Sequence, residues 1–417
     1  MPDVKYLLVG SSHAALEALR SIRHFDPDGS MAMITRDVHR PYSPTILPYV
    51  VSGRSKPASV ILRDEAFFES CNCTFVPDAV AASLDAKTRA VTLTNGDVWR
   101  YEKLLVGTGA APAIPPVKGI ETVRFHVLRS LDDAQGLRAA MGGSKNAVVL
   151  GAGLVGLHAA ENMAEAGLSV SVVEMQGHVL PGYFDAKASE RIESAFTGHG
   201  VKLYLNRKVV GVTPHDGGHS CSVELDDGKS LKADLLLVAT GVRPVTDWLA
   251  GSGVKVDRGV LVDDTMRTSA DNVWAAGDVA QATDFHTGKP ALIGIIPTAV
   301  DQGRIAGAGM AGDPYVKAYP GGIPVNTYRF FGRVALSIGQ AAASDGVEVS
   351  EGEAGEGYRR LVLADNRLVG YASVDEPFDV GIMGELIRRK VDLSAVKDAF
   401  IARPVETGRR LMSEQWR

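Results

Sequence analysis

The sequence predicts an α/β protein with two doubly wound, parallel-sheet nucleotide-binding units and a smaller α+β domain behind them. Three observations carry this expectation. A glycine turn follows an apolar run and opens a helix twice, at Gly10 and again at Gly151. The tail of each unit ends in a related segment, Thr108-Gly109-Ala110-Ala111-Pro112 and Thr240-Gly241-Val242-Arg243-Pro244, so the duplication extends beyond the glycines. Beyond about residue 320 the pattern changes to strands.

Taken in order, Val4 to Val9 reads as a first strand, Ala14 to His24 as a helix with Ala15, Leu16, Leu19 and Ile22 on its apolar face, and Met31 to Thr35 as a second strand. Residues 41 to 66 are rich in Pro and Ser and predict short helical pieces. Val80 to Val98 reads as hairpin strands around Asn95-Gly96, and Tyr101 to Gly107 as a further parallel strand. Ala111 to Pro116 has the composition of a linker, and a helix is expected after Leu131. Ala147–Leu150, Leu154–Ala166 and Ser169–Glu174 repeat the opening strand–helix–strand, and Ala233 to Ala239 reads as a strand. Val325 to Phe330, Val334 to Ile338, Leu361 to Leu363 and Leu368 to Ser373 read as strands of the last domain, with a final helix over Asp379 to Arg389.

The 417 residues exceed one ordinary core, and 45% hydrophobic with 22% charged residues is ordinary for a globular chain. A formal charge of −5 argues against bulk attraction to nucleic acid or anionic membrane. No apolar stretch reaches the length of a bilayer span, and Met1 to Gly10 reads as a strand and not a signal peptide, so a cytoplasmic protein is expected. Cys71 and Cys73 form a Cys-x-Cys pair, but no second Cys or His pair completes a metal set; with Cys221 they read as structural thiols, and no metal site is expected.

A tight turn that opens a helix aims backbone N–H groups and the positive helix end at a pyrophosphate. In the first motif Gly10, Ser12, His13, Ala14 and Ala15 would form this cradle, with Ser12 standing where the pattern has its second glycine. The second motif is full: Gly151, Gly153 and Gly156, with Leu154 and Val155 in the first helical turn. Glu174 ends the following strand, where an acid binds an adenosine ribose and repels a 2′-phosphate; this favours NAD over NADP. The first unit has no acid at its strand tip, and Asp37 in the loop is the candidate there.

Gly10-x-Ser12-x-x-Ala15, Thr108-Gly109, Gly151-x-Gly153-x-x-Gly156, Thr240-Gly241-Val242-Arg243-Pro244 and Ala276-Gly277-Asp278 occur in the order of the FAD-dependent pyridine nucleotide–disulfide oxidoreductases, which the chain resembles over nearly its whole length, most nearly in the ferredoxin reductase-like and rubredoxin reductase-like members. The resemblance implies two Rossmann-like domains: an FAD-binding domain (1–115 and 241–319) interrupted by an NAD-binding domain (116–240), then a C-terminal α+β interface domain (320–417). It implies that Asp278 hydrogen-bonds the flavin ribityl chain, with Gly277 beside it among the cofactor-binding residues, that Pro297 and Thr298 start a helix aimed at the flavin ring, and that the Val80 backbone reads the adenine.

The departures from that family matter as much. The flavin-side segment Pro41 to Tyr49 lacks the cysteines of the disulfide- and peroxide-reducing branches. A Lys–Glu pair of ferredoxin reductase-like members is matched here by Tyr49 and His158; a lone helical His is more often packed than functional, and His158 is kept as a candidate tuning residue. No residue is assigned as catalytic. Lys5 to Ala18 and Tyr42 to Tyr49 also resemble the NADH-linked flavoprotein subunits of anaerobic oxidoreductase complexes, such as those of phenylglyoxylate dehydrogenase and tungsten-dependent aldehyde oxidoreductase. That implies FAD and NAD as cofactors, and an iron–sulfur partner subunit in a hetero-oligomeric complex oxidising an aldehyde or 2-oxo acid. The alternatives are a free-standing NADH:ferredoxin or rubredoxin reductase and, from another class, a flavin-bearing binding or sensor protein.

Overall fold

The computed structural model describes residues 3–343 and 345–415. The chain divides into two compact units. One holds Met1–Pro112, Arg129–Asp132 and Val242–Gly322; the other holds Ala113–Leu128, Asp133–Gly241 and Ile323–Arg417.

In the first unit a mixed sheet runs in the order Cys73–Val76, Met31–Ile34, Asp3–Val9, Val98–Val106, Ala90–Leu93, Ala81–Asp85, and Val273–Ala275 also joins Val98–Val106. Asp3–Val9 pairs in parallel on both sides, Leu8 with Met33 and with Leu105. Tyr6, Leu7 and Leu8 are fully buried, as a strand covered on both faces requires. Val98–Val106 begins antiparallel to Ala90–Leu93 beyond the Asn95-Gly96 turn and ends parallel to Asp3–Val9 and Val273–Ala275. Helix His13–Phe25 crosses helix Ile296–Ala311 at backbone contact: a Cβ on Gly303 would lie 2.2 Å from the Ala14 carbonyl oxygen, and one on Gly307 would lie 2.5 Å from that of Ala18. The two related tail segments pair with each other, Val242 with Pro112 and Pro244 with Ala110.

In the second unit a four-stranded parallel sheet runs Lys202–Tyr204, Ser169–Val173, Asn146–Leu150, Leu235–Val238, beside helix Leu154–Glu165. A meander of Val209–His215, Ser220–Leu225 and Ser230–Ala233 packs its apolar residues with this sheet. The C-terminal residues form a five-stranded antiparallel sheet, Val325–Phe330, Arg333–Gly339, Arg367–Val374, Gly357–Ala364, Glu348–Ala354, and belong to this same unit. Tyr328 meets the His158 ring edge-on at 4.7 Å, Phe331 stacks on His199 at 3.9 Å, and the Phe331 N–H donates to Glu161 at 2.6 Å.

The helix expected last spans Val380–Arg388, capped by the Asp379 carboxylate, but Lys397–Ala402 and Pro404–Gln415 follow it. Proline at the first position of a helix starts one without losing a bond, so Pro404 divides these two helices. Glu348–Ala354 is a fifth strand that the sequence reading missed.

Candidate functional site

In the first unit the expected residues gather where the parallel strands Asp3–Val9, Val98–Val106 and Val273–Ala275 end, the place where open α/β sheets bind ligands. Gly10 has φ +118°, and a Cβ there would lie 2.1 Å from the Gly107 carbonyl oxygen. Only glycine lets the turn press against the neighbouring strand end in this way. Ser12 is the exposed N-cap of helix His13–Phe25, whose first turn holds no acidic residue, and Ala14 and Ala15 are buried against the sheet. Gly277, at φ +82°, donates its N–H to the Gln302 side-chain oxygen and leaves no spare room toward Ala14.

Asp278 follows at once, and its carboxylate takes a 2.7 Å bond from Arg129. The same guanidinium donates to the Ala110 carbonyl at 3.0 Å, so Arg129 ties Asp278 to the segment behind Thr108-Gly109. Thr108 donates its hydroxyl to the Val245 carbonyl, and the Gly109 carbonyl accepts from Val245 N–H. Arg129 escaped sequence reasoning because no motif marks it; only the fold brings the crossing segment Arg129–Asp132 back to this unit.

Both Asp37 oxygens are engaged within their own loop, one by the His39 N–H and the other by the Tyr42 hydroxyl at 2.5 Å. Pro41 accepts from Leu62 N–H, the Val80 carbonyl accepts from Thr94 N–H, and Tyr49 is exposed. Helix Ile296–Ala311 carries Pro297 in its first turn and no acid there; Thr298 is buried within it. His13 Nε2 lies 3.0 Å from Ser43 Oγ, which lies 2.9 Å from Thr45 Oγ1. Burial holds the His13 imidazole below its ordinary value; Arg63 acts the same way and Asp278 opposes them.

The second unit builds the same cradle. Gly151 has φ +102°, and a Cβ on Gly156 would lie 2.1 Å from the Gly151 carbonyl oxygen, so helix Leu154–Glu165 seats tightly on the turn. Gly153, by contrast, faces open space where a phosphate can approach the helix end, flanked by Leu154 and the exposed Val155. Glu174 accepts from Ala152 N–H at 2.8 Å and from Gln176 N–H at 2.9 Å, which fixes its carboxylate beside the turn. Gly241 is exposed at φ +113° and its carbonyl accepts from Ala113 N–H. His158 bonds the Leu154 carbonyl at 2.9 Å and packs on Tyr328; burial lowers its imidazole.

Each cradle thus offers clear approach to helix N–H groups, glycines where any side chain would collide with backbone, and no acid in the first helical turn. These residues fit a dinucleotide pyrophosphate in each unit. The three cysteines are free thiols; Cys73 and Cys221 are buried, and burial pushes them up to about 12 and about 11. Among the described residues no group of three or more His, Cys, Asp or Glu side chains could hold a metal ion, and no described helix is long and apolar enough to cross a membrane.

Two dinucleotide cradles on one chain define a flavin- and nicotinamide-dependent oxidoreductase, and residues 4–303 match the pyridine nucleotide-disulphide oxidoreductases; the chain belongs to that family, with FAD and NAD as its cofactors. Over 416 residues, 99% of this chain and 98% of the relative, it is 50% identical to the epsilon subunit of the NADH-dependent phenylglyoxylate dehydrogenase of Aromatoleum evansii. It is 28% identical to the rubredoxin-NAD(+) reductase of Pseudomonas putida, covering 73% of this chain and 80% of that one. Among solved structures it is similar to a ferredoxin reductase from Rhodopseudomonas palustris, at 27% identity and a TM-score of 0.82, covering 89% of this chain and 91% of that one.

Proposed function

We propose that this chain is the NADH-linked FAD subunit of a larger oxidoreductase complex, exchanging a hydride with NAD(H) and single electrons with an iron–sulfur partner subunit. The observation that carries the reading is the 50% identity, end to end, with a subunit of an NADH-dependent phenylglyoxylate dehydrogenase. The substrate of the complex is then an aldehyde or a 2-oxo acid, oxidised on another subunit. A cysteine-free Pro41–Tyr49 segment supports it, since no thiol stands there to relay electrons.

When bound, the flavin supplies the conversion between a two-electron hydride and one-electron carriers. In the chain itself, Gly10, Ser12, His13, Ala14 and Ala15 would hold its pyrophosphate, and Asp278, steadied by Arg129, its ribityl hydroxyls. Thr108, Gly109 and Gly277 would keep the backbone close, and the first turn of helix Ile296–Ala311 at Pro297 and Thr298 would present its positive end to developing negative charge. Gly151, Gly153, Gly156 and Glu174 would hold NAD. In this reading residues 116–240 would bind NAD and residues 320–417 would form the interface region.

The second reading, a free-standing NADH:ferredoxin or rubredoxin reductase, draws on the 28% and 27% identical relatives. Anaerobic purification of the native protein separates the two. Co-elution with iron–sulfur subunits and bleaching of a yellow chromophore by NADH are expected. A lone chain that reduces added rubredoxin at full speed would favour the second reading, and a chain that NADH never bleaches would overturn both.

A further inference from the structure

We propose that His13, Ser43 and Thr45 form a proton relay serving the first glycine cradle, with Thr45 as its open end and His13 as its base. The inference rests on the flavin–nicotinamide reading above. The three side chains stand in an unbroken hydrogen-bonded row, 3.0 Å from His13 Nε2 to Ser43 Oγ and 2.9 Å from there to Thr45 Oγ1. Each hydroxyl both donates and accepts, so the row can carry a proton in either direction by reversing its bonds. Thr45 is exposed, whereas His13 is the first residue of the cradle helix and is half-buried. His13 follows the Gly10 turn at the end of the parallel strand Asp3–Val9, and Gly277 packs against the next residue, Ala14.

The proposed reaction needs such a path. A hydride carries two electrons and one proton. Oxidation of NADH by two one-electron iron–sulfur acceptors therefore gives NAD+, two reduced acceptors and one free proton. That proton must leave the site in the forward direction and be supplied in the reverse. A proton reaching Thr45 Oγ1 releases that hydroxyl's own proton to Ser43 Oγ, and Ser43 passes its proton to Nε2 of a neutral His13. One N–H bond forms at His13, the two hydroxyls are restored, and no further reactant is required.

The surroundings suit His13 to this role. Burial and the nearby Arg63 favour the neutral ring, ready to accept, while Asp278 favours the protonated one. Arg63 lies over the Phe67 ring at 5.0 Å, and Asp278 is held by Arg129, so both charges are fixed. The chain places Ser43 and Thr45 in the segment that has no cysteine, so the row is built entirely from oxygen and nitrogen.

The test uses FAD-loaded protein with Ser43→Ala and the hydroxyl-retaining Ser43→Thr. One batch is reduced anaerobically by NADH and another by dithionite, and each is reoxidised by the one-electron acceptor ferricyanide in H2O and D2O. Ser43→Ala is expected to bleach with NADH at the parent rate but to reoxidise about tenfold more slowly, with Ser43→Thr restoring the rate and the solvent isotope effect. Independently of turnover, the His13 ring resonance, assigned by its loss in His13→Gln, should titrate below the ordinary imidazole value and move in Ser43→Ala. Reoxidation of Ser43→Ala at the parent rate in both solvents, after either reductant, overturns the relay. Failure of NADH to bleach the parent protein counts against the proposed function, while the dithionite-reduced batch still decides the relay.

Discussion

Both oxygens of Glu174 are engaged by backbone N–H groups, Ala152 of the glycine turn on one side and Gln176 on the other. A carboxylate can accept further bonds, so it can meet a ribose while bracing the turn. Glu174→Gln turns one acceptor into a donor facing an N–H. Charged hydrogen bonds are worth roughly 1.5–3 kcal/mol, so KM for NADH should rise about tenfold or more while FAD content holds. Parallel kinetics with NADH and NADPH measure it; an unchanged KM would remove Glu174 from the nicotinamide site. The position of Glu174 was legible because strand, turn and acid lie within one short stretch of sequence. Arg129 and Ser43 were not legible, since each matters through a partner, Asp278 or His13, that only the folded chain brings near.

The two strand–turn–helix units were readable to within a residue or two, because burial on both faces demands uninterrupted apolar strands such as Tyr6 to Val9. The edge strand Glu348–Ala354 was unreadable for the opposite reason. It has a neighbour on one side only, and its Glu348 and Glu351 are answered by Lys397 and Lys187 from distant elements and by Arg360 of the paired strand Gly357–Ala364. The helix crossing at Gly303 gives a direct test of element packing. Gly303→Val drives a side chain into the Ala14 carbonyl, and overpacking of this kind costs about 1–3 kcal/mol. Gly136, inside helix Leu131–Met141 with open space around it, is the contrast: Gly136→Ala should stabilise by about 0.5–1 kcal/mol. Urea titrations of the two variants should move in opposite directions.

Packing also sets the acid sensitivity of the second unit. Burial holds His126 and His158 below the ordinary imidazole value, so the unfolded chain takes up protons first as the pH drops. The contribution of these two histidines is full above about pH 6.5 and falls away as the pH drops through that value toward the lower folded one. His158→Phe, which keeps a ring against Tyr328, should narrow the gap between melting temperatures at pH 7.5 and pH 5.5. An unchanged gap would mean that His158 titrates alike in both states.

Across the whole molecule, the expectation to test is that electrons pass from one nucleotide to an acceptor without a thiol relay of this chain's own. Cys73 sits in the edge strand of the first sheet, Cys221 lies in the meander of the second unit, and Cys71 caps helix Glu65–Ser70. Burial pushes the Cys73 and Cys221 thiols up to about 12 and about 11, so neither is a thiolate near neutral pH, and the thiolate is the reactive form. Cys71 is partly exposed, but its nearest thiol in sequence, Cys73, is buried and both are free. The three free thiols argue against a disulfide cycle between nucleotide and acceptor. The variant carrying Cys71→Ser, Cys73→Ala and Cys221→Ala avoids placing a new hydroxyl in either core. It should keep its FAD and reduce a one-electron dye with NADH within about twofold of the parent rate, since none of the removed groups acts as nucleophile or acid–base. Thiol-blocking reagents should likewise leave the parent protein active. A triple variant that folds and holds FAD, yet no longer passes electrons from NADH to the dye, would place a cysteine on the electron route.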